Sequence, residues 1–195
     1  SLSESVDNQQ KTIALWQILA ERYQDEPTIA AYDLINEPNW SFTGGDLHPN
    51  GCDDQDNSLL WELQKDITAA IRAIDTNHII VVEGNCWGNN YRGLPELWDN
   101  QLVLSFHKYW NGNTVQDIQH ILDMRHERQV PVWLGESGEN GNTWFTDCIE
   151  LLEQHHIGWT WWPFKKLGFN NPVQVVKPKG YQAIQDYWRN KGPRP

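Results

Sequence analysis

The stretch "AAYDLINEPNW", residues 30–40, decides how this chain is read. A short apolar run, Tyr32 to Ile35, closes on an amide, a carboxylate and a proline: Asn36, Glu37 and Pro38. The body of the run suits a protein interior and its end does not. A second stretch, "VPVWLGESGEN" at residues 130–140, repeats the arrangement with Glu136 near its end. Both read as buried strands that deliver a reactive group where the strand stops.

The surrounding pattern supports strands alternating with helices. Ile13, Trp16, Ile18, Leu19 and Tyr23 recur at helical spacing and predict a helix over 8–23, broken by Pro27 before a strand over 29–35. A polar loop over 41–57 leads to a helix over 58–74, carried by Leu59, Leu60, Leu63, Ile67, Ala70, Ile71 and Ile74. Then come the strand "HIIVVEG" (78–84), a short helix over 94–98 and the strand "LVLSFHKY" (102–109). A helix over 115–128, a strand over 130–135, a helix over 143–155, the strand "IGWTWW" (157–162) and a helix over 181–190 complete the series. Continuously apolar strands separated by helices predict a parallel sheet covered by helices, hence an α/β fold. No repeat, linker or low-complexity segment interrupts it, so residues 1–195 read as a single domain.

The five strands share one property. Their polar residues gather at the carboxyl ends: Asn36 and Glu37, Glu83, His107 and Tyr109, Glu136, and Trp162. In a (β/α)8 TIM barrel these ends converge on one face, where the chemistry sits. A doubly wound sheet does not usually collect reactive groups from all its strands, and no glycine-rich phosphate loop follows any strand here. The expected fold is therefore of (β/α)8 barrel type. A complete barrel has eight strands and typically ~250 residues. This chain of 195 residues is expected to hold about five strand–helix units, the first three strands being missing.

Composition narrows the partners. The net charge is −11, from 26 acidic and 15 basic residues. That balance argues against nucleic acid or an anionic membrane, both of which need clustered Lys and Arg. The apolar runs are too short to span a bilayer. Twelve tryptophans are unusual, because each offers a broad flat face with a single N–H donor. Trp16, Trp61 and Trp133 fall in helix and strand patterns and are expected in the core. Trp40, Trp87, Trp110 and Trp162 fall in loops or at strand ends, where indoles can grip the apolar faces of sugar rings.

Three cysteines, Cys52, Cys86 and Cys148, make neither a disulfide framework nor a zinc pattern. The loop positions of Cys52 and Cys86 would permit a bridge, but unpaired thiols are the expectation. In "CDDQDNSLLWE" (52–62) Asp54, Asp56 and Ser58 alternate as in a calcium loop, without its glycine or its correctly spaced glutamate. A solvated loop is expected, with no metal and no cofactor.

Taken together, "YDLINEP", "SFHKY", "WLGESG" and "WTWWPFKK" resemble glycoside hydrolase family 5, the cellulase family of a retaining clan built on (β/α)8 barrels. The resemblance runs over essentially the whole chain, at the fourth to eighth strands of such a barrel. It implies Glu37 as acid/base and Glu136 as nucleophile. Retaining hydrolysis needs two carboxyl groups roughly 5–5.5 Å apart, one protonated and one ionised. Tyr109 would donate its phenol to Glu136, His107 would line the site, and Asn36 would reach the sugar 2-hydroxyl. Trp162 would be the stacking platform, with Trp161 as runner-up, and Trp40, Trp87 and Trp110 would form flanking subsites. Lys165, Lys166, Glu139 and Asn140 would reach sugar hydroxyls, and Glu83 would be a supporting partner or a structural ion-pair member. The family also places an arginine and a histidine on strands two and three, which this chain lacks.

The implied activity is a retaining endo-β-1,4-glucanase acting on β-glucan polysaccharide or oligosaccharide. β-Mannanase, xyloglucanase, β-glucosidase and β-1,3-glucanase specificities stay open. So does a carbohydrate-binding fragment with little or no turnover. The open sides of a truncated barrel are expected to be covered by a homodimer or by a separate amino-terminal segment. A polymeric substrate implies a secreted, periplasmic or cell-surface location.

Overall fold

A computed structural model describes residues 5–41 and 50–162, together with 182, 185, 186, 189 and 190. The elements follow one another as α1 (Val6–Tyr23), β1 (Ala31–Asp33), α2 (Ser58–Arg72), β2 (Ile79–Glu83), α3 (Asn85–Gly88), β3 (Leu102–Lys108), α4 (Val115–Arg128), β4 (Val132–Ser137), α5 (Asn142–Gln154) and β5 (Gly158–Trp159). The strands run in sheet order β1-β2-β3-β4-β5. Sequential order with an α-helix between most neighbours is the construction of a (β/α)8 barrel, here over five strand–helix units. The residues described within the expected last helix are helical.

Packing divides the chain into two compact units. One runs to Phe106 and takes in Arg128–Pro131; the other holds His107–Glu127 and the residues from Val132 on.

In the first unit β1 pairs parallel with β2, Tyr32 opposite Ile80, and β2 pairs parallel with β3, Val82 opposite Leu104. Helix α2 supplies the cover. Its Ile67 and Ile71 are fully buried, as are Ile80, Val82 and Leu104 of the strands. Each such side chain contributes roughly 1.5–3 kcal/mol of transfer free energy. Ser58 opens α2 through a turn in which its N–H donates to Asp56 Oδ1 at 2.9 Å.

Several expectations fail in this unit. Trp61 is fully buried, but Trp16 is only half-buried, its Nε1 donating to Leu34 O at 3.2 Å. Helix α1 turns Leu15 and Ile18 outward and buries only Ala20. Residues 94–98 are irregular, with bends at Glu96 and Trp98, rather than a helix; Pro95 there has no N–H to give. Leu94 is buried, its carbonyl held by Arg128 Nη2 at 2.8 Å. Cys52 and Cys86 form a disulfide rather than two free thiols. The described part of the acidic loop is not solvated throughout: Gly51, Asp54 and Asn57 are buried.

A polar cluster lies beneath β1. Asp75 accepts from the Tyr32 hydroxyl at 2.8 Å, from the N–H groups of Asn77 and His78, and pairs with His78 Nδ1 at 2.6 Å. Burial alone would push this carboxyl up, but the donors from Asn77, Tyr32 and His78 outweigh it and hold it below its ordinary value. A depressed carboxylate contributes stability that is full above its unfolded pKa, about 3.9, and is lost as pH falls through the folded value. Asp75→Asn should therefore melt below the parent at pH 7. The gap should narrow as thermal melts are taken below about pH 4, and a gap that stays constant with pH would exclude the ionised carboxylate as its source.

In the second unit β4 pairs parallel with β5, Leu134 opposite Trp159. Ile118 and Ile121 of α4 and Phe145, Cys148, Ile149 and Leu152 of α5 are buried with Leu134. Trp133, expected in the core, is half-buried. Cys148 is a free buried thiol whose pKa burial pushes up to about 12, so it stays protonated and packs as a small apolar group.

Candidate active site

On the first unit, the ladder of β1 continues only to Leu34, whose N–H donates to Val81 O at 3.1 Å. The chain then bends, and Glu37 sits with φ +50°, a left-handed conformation uncommon for a non-glycine residue. Its N–H donates to Glu83 Oε2 at 2.7 Å. Glu83, the last residue of β2, is fully buried. Its main chain is gripped by the side chain of Gln64 from α2: Nε2 donates to Glu83 O at 3.0 Å and Oε1 accepts from Glu83 N–H at 3.3 Å. A carboxylate is thus fixed beneath Glu37 and holds its backbone in place. Glu37 is half-buried and Asn36 exposed, so both side chains are within reach of a ligand.

Beyond Glu37, Trp40 and Trp87 are partly exposed, at 44% and 38%. The loop beneath them is polar and buried. Asn85 is fully buried, and its side-chain amide bonds to both main-chain groups of Trp40. Cys86 and Trp87 have φ +55° and +53°. Two successive left-handed non-glycine residues cost of order 1–3 kcal/mol each and persist only where their surroundings hold them.

On the second unit, Tyr109 follows β3 directly, and its hydroxyl donates to Glu136 Oε1 at 2.5 Å. Glu136 lies inside β4, one residue before Ser137, whose Oγ donates to Lys108 O at 2.5 Å. The bond holds the Glu136 carboxyl in one orientation at the end of the strand, as a nucleophile needs. Asn140 Nδ2 donates to Tyr109 O. His107 is 5% exposed, on the β3 face opposite Lys108.

Lys108 is itself buried. Its Nζ donates to Asn111 Oδ1 at 2.7 Å and Gly112 O at 2.5 Å, and lies 4.8 Å from the Trp144 ring centroid. Desolvation lowers its pKa. Those bonds close the loop that presents Trp110, which is 83% exposed and 5.9 Å from the Tyr109 ring.

Trp162 is half exposed, its N–H donating to Ser137 O at 2.6 Å. Trp161 packs against Phe145 at 4.5 Å and Trp159 at 5.3 Å, so Trp162 is the more accessible ring. Lys165 and Lys166 lie outside the described residues. A cleft of about 410 Å³ in the first unit, lined by Trp98, Asp99, Gln129 and Pro131 among others, sits at the amino end of β3. It holds none of the candidate residues.

Sequence reasoning missed Gln64, Asn57, Asn85 and Asn90. Their types mark loops and helix surfaces, and only long-range pairing reveals their use.

Strand-end carboxylates on sequential strand–helix units are the setting of barrel enzymes, and comparison with known proteins gives the family. The family model for cellulase, glycosyl hydrolase family 5, matches residues 2–168. The chain belongs to that family and is a glycoside hydrolase. Endoglucanase C of Acetivibrio thermocellus is 21% identical over 253 residues, covering 98% of this chain and 70% of that protein. An endoglycoceramidase of Cyanea nozakii is 27% identical over 172 residues, covering 78% of this chain and 33% of that protein. The structure of Thermotoga maritima Cel5A in complex with cellobiose superposes with a TM-score of 0.72 at 18% identity, over 94% of this chain and 68% of that one. At that identity the likeness concerns the fold.

Proposed function

We propose that this chain is a retaining endo-β-1,4-glucanase in which Glu37 is the acid/base and Glu136 the nucleophile. The observation that carries the reading is the Tyr109 hydroxyl donated to Glu136 Oε1, which fixes the orientation of the carboxyl group for attack. In the first step Glu136 attacks the anomeric carbon while Glu37 gives its proton to the departing oxygen. In the second, Glu37 takes a proton from water, which displaces Glu136 from the sugar. Asn36 and His107 contact the sugar at the bond being cut. Trp162, Trp40, Trp87 and Trp110 stack on sugar units, and Lys165 reaches a hydroxyl. No step calls on a metal or a cofactor.

Hydrolysis of an aryl β-cellobioside followed by proton NMR tests the mechanism. The β-anomer should appear first, and the α-anomer appearing first would overturn retention. Carboxymethylcellulose, mannan and lichenan compared side by side test the substrate. Sugar binding without turnover would replace the enzyme reading with that of a binding fragment.

The disulfide between Cys52 and Cys86 supports an oxidising, extracytoplasmic location, where a polymer can be met. No helix among the described residues is long and apolar enough to cross a membrane. Strand β1 ends the sheet order, and α1 exposes Val6, Leu15 and Ile18. Edges and apolar faces of this kind favour association. The chain should therefore elute as a dimer in light-scattering-coupled gel filtration; a monodisperse monomer at about 10 µM would count against it.

A further inference from the structure

The loop around Asn85 holds more structure than a surface connection needs. The Asn85 side chain uses its full hydrogen-bonding capacity. Its Oδ1 accepts from Trp40 N–H at 3.2 Å and Cys86 N–H at 2.9 Å, while Nδ2 donates to Trp40 O at 2.7 Å and Asn57 Oδ1 at 2.8 Å. The amide therefore clamps Trp40 by both its main-chain groups, as a neighbouring strand would. Trp87 is fixed from three directions. Its N–H donates to Pro38 O at 3.0 Å, its carbonyl accepts from Asn89 Nδ2 at 3.0 Å, and the preceding residue is tied to Cys52 by the disulfide. Gly51 approaches so closely that a Cβ there would fall 2.0 Å from Asn85 Nδ2. Its carbonyl is held by Asn90 Nδ2 at 2.8 Å.

All of this order lies in the main chain beneath two rings that remain partly in solvent. Trp87, left-handed and 38% exposed, keeps more than a third of its surface in solvent, so burial offsets only part of the cost of its conformation. The strain makes sense when the position of the ring is what is used. Pro38, the anchor for Trp87, is the residue directly after Glu37.

We propose that Asn85, locked by the Cys52–Cys86 bridge, is a positioning residue. It sets the spacing of Trp40 and Trp87 as a paired stacking surface for a glucosyl unit away from the bond that is cut. This inference rests on the β-glucan reading above. It adds that affinity for longer chains depends on the oxidised bridge. Asn85 touches no sugar itself; it acts through the two tryptophans.

The test uses cellohexaose, with its Kd from titration calorimetry in a Glu136→Ala background that does not consume the ligand, and its KM and kcat from hydrolysis by the active chain. Asn85→Ala should raise KM and Kd about tenfold, a change of about 1.4 kcal/mol, with kcat kept within about threefold. Trp87→Ala should raise Kd by a similar factor, and the double variant should be no weaker than the worse single one. Reducing the parent with dithiothreitol, the two freed thiols confirmed by titration, should raise Kd in the same direction. Should Asn85→Ala lose its near-ultraviolet circular dichroism, the reduced parent and Trp87→Ala decide. Unchanged Kd in both overturns the proposal, as does a fall in kcat with KM unchanged for a folded Asn85→Ala. A parent that binds cellohexaose without turnover overturns the catalytic reading alone, because the Kd comparisons still stand. A parent that neither binds nor cleaves it overturns both.

Discussion

Glu136→Ala is expected to lower kcat/KM on an aryl β-cellobioside by about 10⁴-fold or more, equivalent to ~5.5 kcal/mol of transition-state stabilisation. The magnitude follows from what the residue does in the proposed mechanism. It forms the covalent bond to the sugar, and alanine leaves nothing to form it. Tyr109→Phe provides a calibrated second point on the same atom. It keeps the carboxylate and removes the 2.5 Å donor. A hydrogen bond to a charged group is worth roughly 1.5–3 kcal/mol, so a loss of about 10- to 100-fold is expected. The order of the two effects matters as much as their sizes. Glu136→Ala retaining activity within tenfold of the parent would remove Glu136 from the nucleophile role. A Tyr109→Phe loss as large as that of Glu136→Ala would mean that the phenol, too, takes part in the chemistry.

The largest effect on stability is expected at Trp61. The ring is 1% exposed, stacks on Tyr91 at 5.7 Å with planes 19° apart, and donates Nε1 to Arg92 O at 3.3 Å. Trp61→Ala leaves a cavity the size of an indole and removes one of the two donors to the Arg92 carbonyl, leaving Asn57 Nδ2 at 3.1 Å. Substitutions of this class cost about 3–5 kcal/mol, against a total stability of about 5–15 kcal/mol for a domain. At 2–4 °C per kcal/mol for a chain of this size, the melting temperature should drop by about 6–20 °C. Trp61→Phe keeps the stacking surface and should lose less. A melting curve for Trp61→Ala within about 2 °C of the parent would show that the surrounding side chains collapse into the space.

The alternation of apolar strands and helices was legible because burial writes itself into local sequence. Val81 and Val82 must be apolar wherever a partner lies, and β2 could be drawn to within a residue. The carboxyl-end positions of Glu83, His107, Tyr109 and Glu136 followed from the same pattern. The Tyr109–Glu136 contact was anticipated through the family resemblance, and the structure shows it. Nothing local marks the asparagine loop. Asn85 meets Trp40 across 45 residues, and Cys52 meets Cys86 across 34. A polar side chain that saturates itself with main-chain partners looks in sequence like one that is merely solvated. Helix α1 misled for the opposite reason: of the face that periodicity named, Ile18 is exposed and Ile13, Trp16, Leu19 and Tyr23 are only half-buried.

Gln64 carries a mechanical consequence. Its amide bonds to both main-chain groups of Glu83, the same Glu83 whose carboxylate receives the Glu37 N–H. A slide of α2 by even one residue rise, 1.5 Å, would break both amide contacts. The helix is thereby geared to the strand, and the strand to the proposed acid/base residue. A helix packed against the sheet thus fixes the height at which Glu37 stands.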